Sequence, residues 1–283
     1  GIDAPVTVLD AATGQTRATC EGSDFTAEIV VVDDTALLVV DKQPSRLPAF
    51  RRVGTYVWSN TSASNSGWGW NAELRNVRAY DAVTARPIWN REFPVAPCSL
   101  AATSSRIVFH DGRRLLCLDR QSGNTVWEGE ETPVSLPIPS STGPRVLIYG
   151  NMVLFASNDG KVSGWSLQDG RRMWEQKQRP SGHMSLKDLF VVAGLSWTAS
   201  IAGNNDDAVW VGYDPVTGEK KREFAPDVNL HWFHHRCYPV KATGKFILAG
   251  RNGTEYVDLD QETWTPNHWV RGGCIYGVMP CNG

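Results

Sequence analysis

A short apolar strand, an Asp, two residues, a Thr or Ser, a Gly, and a second strand ending in Trp: this apolar–polar pattern repeats along the chain. It reads Val8-Leu9-Asp10-Ala11-Ala12-Thr13-Gly14 near the start and Cys117-Leu118-Asp119-Arg120-Gln121-Ser122-Gly123, followed by Trp127, in the middle. It returns as Gly212-Tyr213-Asp214-Pro215-Val216-Thr217-Gly218, with worn copies at Tyr80-Asp81 (Trp89), Trp165-Ser166 (Gly170, Trp174) and Val257-Asp258. Anchored on positions 10, 81, 119, 166, 214 and 258, the gaps are 71, 38, 47, 48 and 44 residues. A period near 45 in a strand-rich chain predicts one four-stranded antiparallel sheet per repeat, the blade of a β-propeller.

Each part of the repeat has a physical reason. The Asp side chain accepts hydrogen bonds from backbone N–H groups just downstream, and Gly adopts the positive φ that closes the turn. The Trp eight residues after the Asp (Trp89, Trp127, Trp174) falls on the next strand, where a large ring packs between neighbouring blades. The other three copies hold Ala18, Arg222 and Pro266 there.

On this Asp-x-x-Thr-Gly-x-x-x-Trp motif the chain resembles the PQQ-like repeat family of β-propellers, which includes quinoprotein alcohol dehydrogenases and the lipoprotein scaffold of outer-membrane protein assembly. The stretch from His234 to Gly244 and from Arg271 to Gly283 resembles the ending of such propellers in large planctomycete-type bacterial proteins. The resemblance speaks for the fold and leaves the activity open, since the same blade serves enzymes and inert scaffolds. In the dehydrogenases the quinone stacks on Trp and is held with calcium by a Glu, Asn and Asp set in a longer, eight-bladed ring. Neither that set nor that length is found here, so no cofactor and no metal are expected.

The whole of 1–283 reads as one all-β domain of about six blades, or as a fragment of a seven- or eight-bladed ring cut at both ends and part of a larger polypeptide. In the first of these readings, residues 270–283 complete the blade begun at Val6. The long first gap is assigned to an inserted rim loop over 44–75, whose Asn60–Asn71 segment is polar and Gly/Ser-rich. There Trp58, Trp68 and Trp70 are candidate ligand-binding rings, a stacking platform for a sugar, against the alternative that they fold back over the core. A net charge of −2 gives no reason to expect nucleic acid or an anionic membrane. No apolar run approaches the length of a membrane span, and no signal peptide is visible.

The candidate catalytic residues are His231, His234, His235, Arg236 and Tyr238, with Arg271 entering the same space. Imidazole is a metal ligand and a proton shuttle near neutral pH. Arg beside Tyr suits carboxylate recognition and proton abstraction next to it, the chemistry of a polysaccharide lyase. The plainer reading makes this segment packing at the inner rim. Six Cys (20, 98, 117, 237, 274 and 281) are too few for a disulfide scaffold, although Cys237, Cys274 and Cys281 gather where one bridge could form in an oxidising compartment. Two functions stay open. One is a non-catalytic scaffold, periplasmic or extracellular, that binds a protein or glycan partner through rim loops. The other is a lyase-like carbohydrate-active enzyme using the 231–238 cluster.

Overall fold

The computed structural model describes residues 3–44, 69–138, 143–157, 159–178, 188–199, 209–225, 227, 240–250, 253–270, 272 and 277–279. Every regular element among them is a strand, and no helix occurs. The strands form one two-stranded and five four-stranded antiparallel sheets, each running in sequence order, as the blades of a propeller do.

The chain packs as two compact units, Gly1–Ser140 and Ser141–Gly283. The first holds blade 1, β1 (Thr7–Leu9) and β2 (Thr16–Thr19), and blade 2, β3 (Thr26–Val32), β4 (Thr35–Val40), β5 (Leu74–Asp81) and β6 (Pro87–Pro94). Blade 3 follows as β7 (Ala101–Ala102), β8 (Arg106–His110), β9 (Leu115–Asp119) and β10 (Thr125–Glu128). The second unit begins with blade 4, β11 (Arg145–Tyr149), β12 (Met152–Ala156), β13 (Lys161–Ser166) and β14 (Arg172–Lys177). Blade 5 is β15 (Phe190–Val192), β16 (Leu195–Ala199), β17 (Trp210–Tyr213) and β18 (Lys220–Phe224). Blade 6 is β19 (Lys241–Ala242), β20 (Phe246–Ala249), β21 (Glu255–Asp258) and β22 (Thr263–Thr265).

The long first gap has a local cause. Val40 pairs with Asn76, so β4 and β5 are neighbours in one sheet and residues 41–73 connect its second and third strands. The strand resumes at Leu74, so Leu74 and Arg75, the last two residues of the expected 44–75 loop, belong to β5.

The repeated turn is built alike in all six copies. The N–H four residues on donates to the anchor carbonyl: Gly14 to Asp10, Ala85 to Asp81, Gly123 to Asp119, Gly170 to Ser166, Gly218 to Asp214 and Glu262 to Asp258, at 2.8–2.9 Å. That fourth residue is left-handed every time, with φ of 72°, 58°, 69°, 72°, 71° and 57°. The Asp carboxylate gathers the amides two and three residues on, as from Val83 (3.0 Å) and Thr84 (2.7 Å) to Asp81. The worn copy at Ser166 reverses the roles. Its acid stands at Asp169, held below the ordinary carboxylate pKa first by a hydrogen bond from the Ser166 side chain.

Alternate side chains of each strand point to opposite faces, so each blade has two apolar faces to cover. In the first unit one core joins Val6, Val8 and Ala18 to Ala36, Leu38, Val40 and Tyr80, and another joins blades 2 and 3 through Leu37, Val77, Trp89, Ile107 and Phe109. In the second unit Leu154 and Trp174 pack with Leu189 and Val191, and Trp197 and Trp210 pack with Ile247 and Trp264. Cys20 and Cys117 are free thiols, and burial pushes Cys117 up to about 12, so it stays a protonated packing residue. Cys237, Cys274 and Cys281 lie outside the described residues.

Candidate functional site

The expected catalytic cluster, His231, His234, His235, Arg236, Tyr238 and Arg271, lies outside the described residues, and so do Trp58 and Trp68. Trp70 is described, and it is buried at 4 % exposure. Its backbone exchanges two 2.8 Å hydrogen bonds with Ile138, and its indole N–H donates to the Glu73 carbonyl at 3.0 Å. The Arg75 guanidinium stands 5.9 Å from the ring centroid. One ring edge lies over Gly112, where a Cβ would meet Trp70 Cη2 at 3.2 Å. This Trp therefore has no open face to stack on a sugar; of the expected platform it is a packing residue.

The turn beneath Trp70 holds a buried His110. Its Nδ1 accepts the Gly112 N–H at 3.0 Å, and its Nε2 lies 2.9 Å from the Thr132 carbonyl oxygen. A carbonyl only accepts, so the proton sits on Nε2 and the ring is neutral. A second proton would turn Nδ1 against the Gly112 N–H. Burial is the main cause that lowers the pKa from 6.5 to about 4, outweighing the Thr132 bond and the Asp111 charge.

Among the described residues every perturbed carboxylate except Asp41 belongs to a repeated turn. Asp10, Asp81 and Asp214 are lowered first by the backbone N–H of Thr13, Thr84 and Thr217, and Asp119 first by the Ser122 hydroxyl. Asp41 is raised, because burial outweighs the favourable charge of Arg75. These shifts follow from turn geometry and packing and need no catalytic explanation. Among the described residues no group of three or more His, Cys, Asp or Glu side chains is placed to hold a metal ion.

What the repeats do build is a latch between neighbouring blades. Trp89 of blade 2 lies on Gly123 of blade 3, where a Cβ would meet its ring at 2.7 Å, and its indole N–H donates to the Arg120 carbonyl at 2.8 Å. Trp174 of blade 4 lies on Gly218 of blade 5, at 2.5 Å for the same test, and donates to the Pro215 carbonyl at 3.1 Å. Arg222 holds the Trp position in blade 5. Its guanidinium donates to the Leu259 carbonyl at 2.5 Å and to the Glu262 carboxylate at 2.6 Å.

The acceptor is the same in all three, the carbonyl one residue after the anchor Asp. The partner at the left-handed position changes with the donor: Gly lies under Trp, and Glu lies against Arg. Where blade 1 offers only Ala18, blade 2 carries Ala85 there, and both pack in one apolar core. Sequence reading finds the Trp copies but misses the Arg222–Glu262 pair, whose residue types break the motif. Counting eight residues from Asp214 and four from Asp258 would have found it.

The family model for the outer membrane protein assembly factor BamB matches residues 3–211. No curated protein matches the chain. Among solved structures, BamB from Moraxella catarrhalis is 17 % identical with a TM-score of 0.55, over 94 % of this chain and 70 % of that one. The computationally designed Ika8 protein is 13 % identical at a TM-score of 0.60, over 91 % of this chain and 66 % of that one. A quinohemoprotein alcohol dehydrogenase from Comamonas testosteroni is 15 % identical at 0.50, over 85 % of this chain but 42 % of that one. At such identities these structural likenesses show the fold alone.

Proposed function

The chain belongs to the family of the outer membrane protein assembly factor BamB, and from that premise we propose that it is a non-catalytic scaffold that binds a protein partner through the loops joining its strands. The observation that carries this reading is where the chain invests its recurring residues. The Asp turns, the Trp and Arg latches and the buried His110 all serve to hold strands and neighbouring blades within each compact unit, which leaves the connecting loops free to vary. The family match ends at residue 211, short of the 231–238 cluster, so membership rests on the blades alone. A periplasmic or extracellular place, a planctomycete-type relative and membership of a larger polypeptide belong to the same proposal. Among the described residues no helix is long and apolar enough to cross a membrane.

Immobilised chain incubated with a bacterial envelope extract should retain a defined protein, and that protein, once purified, should bind with saturation. His234→Ala and Arg236→Ala should leave its affinity unchanged. Retention of an acidic glycan in place of any protein would move the reading to the carbohydrate-active alternative.

A further inference from the structure

The turn that joins β8 to β9 is crossed by a strap, residues 129–138, that is held by the neutral ring of His110. Along the strap only Gly129, Val134 and Ile138 are buried. Its amides reach the hairpin beneath. Gly129 N–H donates to the Leu115 carbonyl at 2.8 Å, Thr132 N–H to Arg113 at 2.7 Å and Val134 N–H to Gly112 at 3.2 Å. At its far end Ile138 pairs with Trp70. Segments held by so few buried side chains open ahead of the cooperative core.

His110 ties these pieces together. It ends β8, where β4, β12, β16 and β20 end in Val40, Ala156, Ala199 and Ala249. The register otherwise carries Val or Ala, so the imidazole is there for its hydrogen bonds. One nitrogen grips the strap at Thr132 and the other grips the turn at Gly112. The Gly112 carbonyl in turn receives Val134, and the Trp70 ring rests on Gly112. A doubly protonated ring has two donors and no acceptor. It would set an N–H against the Gly112 N–H and enclose a charge at a fully buried site. Charged groups on the surrounding elements are Asp111, Arg113 and Arg114 on the turn and Glu128, Glu130 and Glu131 on β10 and the strap. Glu73 and Arg75 flank Trp70, and the 95–100 link that carries Ser99 has none. Arg113 and Arg114 pair with Glu131, and Arg114 also with Glu128. Asp111 and the Thr132 carbonyl favour the charged ring, and burial outweighs both.

We propose that the strap is an acid-released clasp, shut by neutral His110 and opening ahead of the blades when the ring takes up a second proton. Opening uncovers Val134, Ile138 and Trp70, all buried while the clasp is shut, so this apolar face is available only in acid. The sign follows from the two states. The released ring binds its proton below pH 6.5 and the enclosed ring only near pH 4. Closure is therefore strongest above pH 6.5 and weakens as the pH falls toward 4. Between pH 7 and 5 the opening becomes about 20-fold more frequent. The clasp goes beyond the scaffold reading and does not depend on it.

The test is amide exchange on the full chain, read residue by residue between pH 7 and 5 with the intrinsic rates divided out, with and without low urea. Gly112, Thr132, Val134 and Ile138 should lose protection about 20-fold by pH 5. Urea should barely affect that opening, because it exposes little surface. The β8–β9 ladder should stay far better protected and respond steeply to urea. The loss should set in near pH 6.5 and vanish in His110→Gln, which keeps every carboxylate and stays neutral. Strap and ladder amides that lose protection together, with one steep urea dependence, would mean that only whole unfolding occurs and would overturn the clasp. So would unchanged protection at pH 5, a loss that sets in only below pH 5, or the same loss in His110→Gln. If that variant does not fold, the onset of the wild-type loss and its urea dependence decide alone.

Discussion

Trp89→Ala lowers the unfolding free energy by about 3–5 kcal/mol, as large-to-small changes at buried aromatic sites do. The indole fills the space between blades 2 and 3 at 9 % exposure, and its N–H satisfies the Arg120 carbonyl. Truncation leaves a cavity over Gly123 and an orphaned acceptor, and neither neighbour can close onto the turn without breaking its own ladder. A companion substitution identifies the cause. Gly123→Ala would place a Cβ 2.7 Å from the ring at a φ of 69°, and should cost about 2–5 kcal/mol from left-handed strain plus overpacking. Gly14→Ala has the same left-handed backbone, φ 72°, with nothing within 4 Å, and should cost only the strain, about 1–2 kcal/mol. In the Trp89→Ala background the Gly123→Ala penalty should fall toward that smaller value, with only the Arg91 side chain, its Cγ 3.1 Å from the added Cβ, left to give way, a non-additivity read by urea unfolding of the two single variants and the double. Simple addition of the two single costs would contradict the latch.

The second large effect is acid sensitivity set by His110. Its pKa is about 4 in the folded protein against 6.5 when free. The unfolded chain therefore takes up a proton below pH 6.5 that the folded protein refuses until about pH 4. The stability it contributes is complete above pH 6.5 and falls by about 3 kcal/mol across that window. The turn carboxylates act lower, because a depressed Asp costs stability only as pH falls below its ordinary 3.8. Denaturant unfolding between pH 7 and 4.5 should show this loss, and NMR should place the imidazole titration near pH 4. A ring that titrates near 6.5, with stability flat across the window, would contradict the buried neutral tautomer.

How much of this was legible in the sequence depended on whether residue type or only position was preserved. The Asp turns were legible because backbone geometry demands an acceptor at the first position and a left-handed residue at the fifth. Trp89, Trp127 and Trp174 were legible too, and all three are buried. The Arg222–Glu262 latch was not, because it reaches the same carbonyl with different chemistry. Trp70 read as a possible ligand platform because it sits in a polar, Gly/Ser-rich segment. Its burial comes from Gly112 and Ile138, which are distant in sequence and invisible to local pattern.

The most direct test of a scaffold without chemistry is turnover of acidic glycans. Wild-type chain and the His234→Ala/Arg236→Ala double variant would be incubated with polygalacturonate, alginate and heparin, following the ultraviolet absorbance of the unsaturated uronate that β-elimination creates. The scaffold account predicts no absorbance above the buffer control for either protein, with equal melting temperatures for free and glycan-treated chain. Turnover by the wild type that the double variant loses, at unchanged stability, would contradict it and make the 231–238 segment an active site.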